Sequence, residues 1–249
     1  MRHASRRCAK ARRNKEEFGR KVISTMVSAI CMAILSCSTL VWAVAAQAQN
    51  QNVRFWSGPG GNFDFYILAL SWSPTYCAQE GQGRGSPQCQ TGRKIGFTVH
   101  GLWPQYAAGY PSNCPSSERA VPQATMDGIR DLFPDSGLAR YQWRKHGSCS
   151  GSDPDSYFRA TRQALNKVRI PDKLKNLNGP LSMQAIDIER AFSNANPGLR
   201  SDMMRVMCRR GELQEVRVCF DKTVRGFANC GRVERGNCGY SEVVIKPAR

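Results

Sequence analysis

With 249 residues, 41% of them hydrophobic, the chain can bury one substantial core and is consistent with a single domain once a leader is removed. Charged residues make up 22% and aromatics are spread along the chain, which excludes a disordered polyelectrolyte. The formal net charge of +17 favours polyanionic partners, but charge alone does not separate a nucleic acid from an anionic envelope.

Residues 1–21 carry nine Lys/Arg against Glu16 and Glu17, and an uncharged, mostly apolar segment follows over 22–46. It ends in Ala43-Val44-Ala45-Ala46-Gln47-Ala48. A basic front, an apolar stretch and small residues at its exit form the pattern of a secretory signal peptide, 1–48, cut near Ala48 or at Ala45 or Ala46. The apolar segment is also long enough for a retained membrane anchor, and Met26 is an alternative start. Ser5-Arg6-Arg7 lies too far from the apolar segment to act as a twin-arginine signal. Without residues 1–48 the chain keeps 27 basic and 17 acidic side chains, a surplus of ten. Such a surplus concentrates a polyanion near the surface.

Of the eleven cysteines, Cys8, Cys31 and Cys37 fall in the leader, leaving Cys77, Cys89, Cys114, Cys149, Cys208, Cys219, Cys230 and Cys238. An even count in an exported domain favours disulfides, although eight cysteines allow 105 pairings. No two of them have the two-residue spacing of a zinc ribbon, and the histidines are not spaced as ligands, so no metal is expected.

Along the rest of the chain no internal repeat is present. Residues 49–62 read as a loose arm, and Phe65 to Trp72 as a buried strand bounded by Pro74. Gly81 to Pro87 is a glycine-rich loop between Cys77 and Cys89, without the strand-turn-helix context of a phosphate cradle. Lys94 to His100 reads as a second strand, ended by Gly101 and Pro104, and 105–123 as irregular loop. A short helix is predicted over Thr125–Phe133. Asp153-Pro154 opens a longer one to about Val168, with Tyr157, Phe158, Ala164, Leu165 and Val168 on its apolar face. Ser182 is read as the cap of a helix to about Asn194. Leu213 to Phe220 alternates as a strand, Leu213, Val216, Val218 and Phe220 inward against Gln214, Glu215 and Arg217, and Val243 to Ile245 closes the chain. Strands and helices are segregated, which predicts a disulfide-stapled α+β domain with a mainly antiparallel sheet flanked by helices.

Two of the three histidines sit in densely specified segments, Phe97-Thr98-Val99-His100-Gly101-Leu102-Trp103-Pro104 and Tyr141-Gln142-Trp143-Arg144-Lys145-His146-Gly147-Ser148-Cys149; the third, His3, lies in the leader. Imidazole, with an unperturbed pKa of about 6.5, is the side chain best suited to move protons near neutrality. RNA cleavage without a metal needs a base for the ribose 2′-hydroxyl, an acid for the departing 5′-oxygen and a cation for the phosphorane-like transition state. Lys145-His146 and His100 can supply these three groups. Taken singly, the same residues read as a core histidine, a turn, two core tryptophans and a solvated lysine.

Together, the two segments closely resemble the active-site signatures of the ribonuclease T2 family. The first fits without a mismatch and 143–149 fits the core of the second; Leu70-Ser71-Trp72-Ser73-Pro74 with Cys77, the C-terminal cysteines and the closing strand extend the likeness over 63–246. The resemblance implies a catalytic domain at 63–249 that cuts single-stranded RNA through 2′,3′-cyclic phosphates with low base specificity, as lyase and then hydrolase. It implies that His100 and His146 are catalytic, with His146 the base and His100 the acid in the transfer step. Lys145 is then the transition-state cation and Trp103 a base-stacking residue that binds substrate. It also implies the disulfides Cys77–Cys89, Cys114–Cys149, Cys208–Cys238 and Cys219–Cys230. Two positions depart from the commonest His-Glu-Trp pattern: Tyr141 replaces a phosphate-binding histidine, and Gln142 a carboxylate. A glutamine can orient an oxygen but neither carries charge nor relays a proton.

The expected protein is therefore a periplasmic or secreted monomer. It acts on RNA with no cofactor, no metal, no obligate protein partner and no membrane attachment after processing. The rival readings are a ribonuclease-like binder of RNA or another polyanion, impaired by Gln142, and a metal-dependent nuclease, which the lack of a clustered acidic ligand set disfavours.

Overall fold

The computed structural model describes residues 60–231, 238 and 242–248; the leader, and the arm at 49–62 as far as residue 59, lie outside them. Phe65–Trp72 forms β1, and seven of its eight residues are buried because it is covered on both faces. It pairs antiparallel with β2 (Phe97–Gln105) on one side and β5 (Glu212–Asp221) on the other. β4 (Met204–Arg209) pairs antiparallel with β5, and β3 (Leu181–Gln184) antiparallel with β6 (Glu242–Ile245). β6 meets β5 in parallel, Glu212 opposite Val244, so the sheet runs β2-β1-β5-β6-β3 with β4 beside β5. This is the expected mainly antiparallel α+β arrangement.

The two faces of β1 do different things. Tyr66, Leu68, Leu70 and Trp72 join the main core with Trp143, Tyr157, Phe158 and Phe192 from the helices. Phe65 and Ile67 point the other way, into a small cluster with Cys219, Cys230 and Trp103. Alternation puts Ala69 and Ser71 on that second face as well. Opposite them across the β1–β5 ladder stand Arg217 and Glu215.

The helices are α1 (Ser73–Tyr76), α2 (Gln123–Asp127), α3 (Ser136–Lys145), α4 (Pro154–Asn166) and α5 (Ala185–Ala195). Asp135 caps α3, its carboxylate accepting from the amides of Gly137 and Leu138 at 2.8 and 3.2 Å, and Arg144 and Lys145 complement the dipole at the other end. Asp153 caps α4 by accepting from Ser156 N at 2.8 Å, with Pro154 at the first turn. α4 packs against β1 and β2 in the main core, and Tyr157 Oη donates to the Leu102 carbonyl at 2.9 Å.

The four disulfides are those the family resemblance implies: Cys77–Cys89, Cys114–Cys149, Cys208–Cys238 and Cys219–Cys230. The second ties the loop after β2 to the 3-10 turn Gly147–Ser150, and Asn113 N reinforces it by donating to the Lys145 carbonyl at 2.8 Å. Gly61 N also donates to that turn, at the Cys149 carbonyl.

Several elements differ from expectation. β2 starts at Phe97 and continues through Gly101 and Pro104 to Gln105. As the edge strand it loses no ladder bond to the proline. The helix expected over Thr125–Phe133 stops at Asp127, with Gly128 as its cap, although Ile129, Leu132 and Phe133 stay buried. Ser182 lies in β3 rather than at a helix cap: Leu181 and Met183 pair with Ile245 and Val243, and α5 begins only at Ala185. Glu215, expected outward, is buried. α3, β3 and β4 appear in addition.

Candidate active site

The register of β1 against β2 slips at one point. Ala69 faces Gly101 and Leu70 faces Val99, leaving His100 as the extra residue of a β-bulge. A bulge releases its residue from the regular alternation and re-aims its side chain. His100 turns across β1, over the small Ala69 and Ser71, and its Nδ1 lies 2.7 Å from Glu215 Oε1 on β5. The other carboxylate oxygen of Glu215 accepts from Arg217 Nε at 2.6 Å. Burial pushes the acidity of Glu215 toward the neutral acid, but His100 and Arg217 outweigh it and hold the carboxyl below its ordinary value.

The second segment is a helix end. α3 runs to Lys145, and His146 follows as its cap, its amide bonded to the Gln142 carbonyl at 3.0 Å. The His146 side chain is buried and its Nδ1 has no hydrogen-bond partner among the described residues. Burial first, then the charge of Lys145, then that of His100 pull its pKa down to about 3, so the ring is neutral at ordinary pH.

Trp103 joins the two histidines. Its indole meets His100 edge-on at 5.1 Å between centroids and stacks on His146 at 5.2 Å and 29°. The Arg217 guanidinium lies 5.1 Å over the same indole. Trp103 Nε1 donates to Gln142 Oε1 at 2.8 Å. Gln142 is therefore buried against the tryptophan, and its carbonyl oxygen is engaged there. Lys145 Nζ lies 5.5 Å over the ring of Tyr141, which is exposed. A cleft of about 560 Å³ opens beside His100; Glu215, Tyr141, Leu138, Ser71 and Thr98 are among its walls, whereas His146, Lys145, Trp103 and Gln142 are not.

The fold thus brings His100, His146, Trp103 and Gln142 into one cluster, with Lys145 and Tyr141 on the adjoining turn of α3. Among the described residues, no group of three His, Cys, Asp or Glu side chains is placed to hold a metal. Glu215 and Arg217 were missed by reading β5 as simple alternation. The available signal was their spacing: two opposite charges two residues apart, on the strand face that also carries Cys219.

The family model described as "Ribonuclease T2 family" matches residues 63–230. The chain belongs to the ribonuclease T2 family. It is 32% identical over 200 residues to a ribonuclease of Aeromonas hydrophila, covering 77% of this chain and 89% of that one. It is 31% identical over 262 residues to ribonuclease I of Escherichia coli, covering 86% of this chain and 96% of the relative. Among solved structures, ribonuclease NT in complex with 5′-AMP superposes with a TM-score of 0.60 at 20% identity, over 75% of this chain and 99% of that one. That likeness supports the T2 fold for the described domain.

Proposed function

We propose that this chain is an exported, metal-independent endoribonuclease that cuts single-stranded RNA by transphosphorylation, with low base specificity. The observation that carries the reading is the pairing of unlike imidazoles on one indole: a buried, neutral His146 and a half-exposed His100 bound to a carboxylate. A neutral ring can accept a proton, so His146 serves as the base for the ribose 2′-hydroxyl. An arriving phosphate offsets the charge of Lys145 and makes His146 more basic when substrate is present. As the 2′-oxygen bonds to phosphorus, the bond to the 5′-oxygen breaks, and His100 gives its proton to that leaving oxygen. Lys145 stabilises the extra negative charge on phosphorus. Hydrolysis of the cyclic product exchanges the two histidine roles. Export is supported by the leader pattern at 1–48 and by eight cysteines joined in four bridges. The mature protein then comprises the arm and the catalytic domain at 63–249, acting as a monomer outside the cytoplasm.

The deciding experiment digests a short oligoribonucleotide in excess chelator and identifies its termini. Cyclic phosphates, and resistance of the same oligomer carrying one 2′-deoxyribose at the cut site, are expected. Cleavage of the deoxy oligomer, or cleavage abolished by the chelator, overturns the reading.

A further inference from the structure

Among the described residues, Glu215 is the only Asp, Glu, Lys or Arg that is buried. Burying a carboxylate is costly unless its oxygens are satisfied by charge and hydrogen bonds. Both oxygens are engaged here, one on His100 Nδ1 at 2.7 Å and the other on Arg217 Nε at 2.6 Å. Glu215 and His100 are not neighbours in the sheet; they belong to strands on opposite sides of β1. The contact exists because the bulge frees His100 and because Ala69 and Ser71 leave room above β1.

An ionised carboxylate only accepts hydrogen bonds, so the His100 nitrogen facing it carries a hydrogen in both charge states of the ring. The proton that comes and goes is then the one on Nε2, at the far side of the ring from Glu215. Arg217 fixes Glu215 in turn and spreads its guanidinium on Trp103, which links this pair to the His146 side of the site.

We propose that Glu215, held by Arg217, is a positioning residue of the reaction, locking His100 with Nδ1–H inward and Nε2 toward the departing 5′-oxygen. The inference rests on the two-histidine reading above. Among the described residues, the charged or titratable groups nearest His100 are Glu215 and Arg217 from β5, and His146, Lys145 and Tyr141 from α3 and its end, while Tyr76, Glu80, Arg84, Asp135 and Arg209 line other parts of the same cleft. Of the carboxylates in that cleft, Glu215 is the one bonded to the imidazole. Removing its charge takes the bonded negative partner from the imidazole and disfavours the protonated ring.

The test compares purified, disulfide-intact wild type, His100→Ala and Glu215→Gln on a short oligoribonucleotide between about pH 4 and 9. Glu215→Gln is expected to lower kcat at least about tenfold with little change in KM, as for other residues that orient a catalytic imidazole. Its alkaline limb, which reports loss of the His100 proton, is expected to move to lower pH by about one unit. If His100→Ala is inactive while Glu215→Gln keeps wild-type kcat and an unmoved alkaline limb, this inference fails and the two-histidine reading stands. If His100→Ala itself keeps wild-type turnover, that reading fails and takes the inference with it. Ring-nitrogen NMR on the wild type needs no Glu215 variant to fold. The neutral His100 ring, assigned by the signal missing in His100→Ala, is expected as the Nδ1–H tautomer, and an Nε2–H tautomer overturns the proposal.

Discussion

Trp103 Nε1 and Gln142 Oε1 are joined by a 2.8 Å hydrogen bond that lies directly against the Cα of Gly101. A Cβ at 101 would overlap both the indole nitrogen and the amide oxygen, neither of which is a free end. The glycine is required by this close approach. Gly101→Ala should therefore destabilise the fold by about 1–3 kcal/mol through overpacking. It should lower kcat/KM more than that loss explains, because it displaces the ring on which both histidines rest. Thermal unfolding and kinetics on the same preparation check this, and an alanine variant with normal turnover would show that the indole's placement is not critical.

His100→Ala and His146→Ala should each lower kcat by about a hundred- to ten-thousandfold, the usual range for a general acid or base, while RNA binding falls far less. Single-turnover rates and filter binding separate the two quantities. Either variant retaining more than roughly a tenth of wild-type turnover would contradict paired acid–base catalysis.

The site was legible in the sequence where chemistry was local, and hidden where it depended on pairing. β1 could be read because it is apolar on both faces. The signatures at 97–104 and 141–149 named His100, His146, Lys145 and Trp103. The His100 bulge could not be read, since it exists only in the register of β2 against β1. Glu215 was hidden for the same reason, because its partner stands two strands away. α3 lacked an apolar stripe: Gln142 is among its buried residues and the aromatic Tyr141 is exposed, the reverse of a simple amphipathic pattern. Ser182 looked like a cap because its hydroxyl suits one, but the pairing of Leu181 and Met183 with β6 prevailed.

The Cys114–Cys149 bridge fastens the turn that follows His146. Replacing both cysteines by serine should cost about 2–5 kcal/mol, the usual range for a native bridge in a small domain. It should also reduce turnover at temperatures where the protein remains folded, because Cys149 lies three residues after His146, the base proposed above. Denaturation curves and kcat below the transition check both parts; full activity in the folded variant would confine the bridge to a stability role.

His146 also makes acid stability predictable. Its pKa is about 3 in the folded chain, against about 6.5 unfolded, so the unfolded state binds the extra proton first. The contribution is fully present above about pH 6.5 and is lost progressively as pH falls toward 3, on the order of 3–5 kcal/mol in total. His146→Asn should flatten the pH dependence of Tm in that window, while the carboxylates contribute equally to both proteins. Parallel slopes for the two would show that the imidazole is not held neutral by burial.

Gln142→Glu reads out the electrostatics of the site. Gln142 sits one helical turn before His146, with its side chain on Trp103, which stacks on that imidazole. A carboxylate there can still accept the indole N–H, but it also adds a negative charge close to a ring now opposed only by Lys145 and His100. Negative charge favours the imidazolium, so the pKa of His146 should rise. With His146 as base, activity requires its neutral form, and the acid limb of kcat/KM should move to higher pH. The maximal rate should rise with it, because a base whose pKa lies nearer the working pH transfers protons more effectively. Profiles on a short oligoribonucleotide from about pH 2 to 8, measured for both proteins, decide between charge and packing, since an imidazole with a pKa of about 3 sets its limb below pH 4. An acid limb that stays in place while the rate changes would leave Gln142 the single task of holding Trp103 between the two histidines.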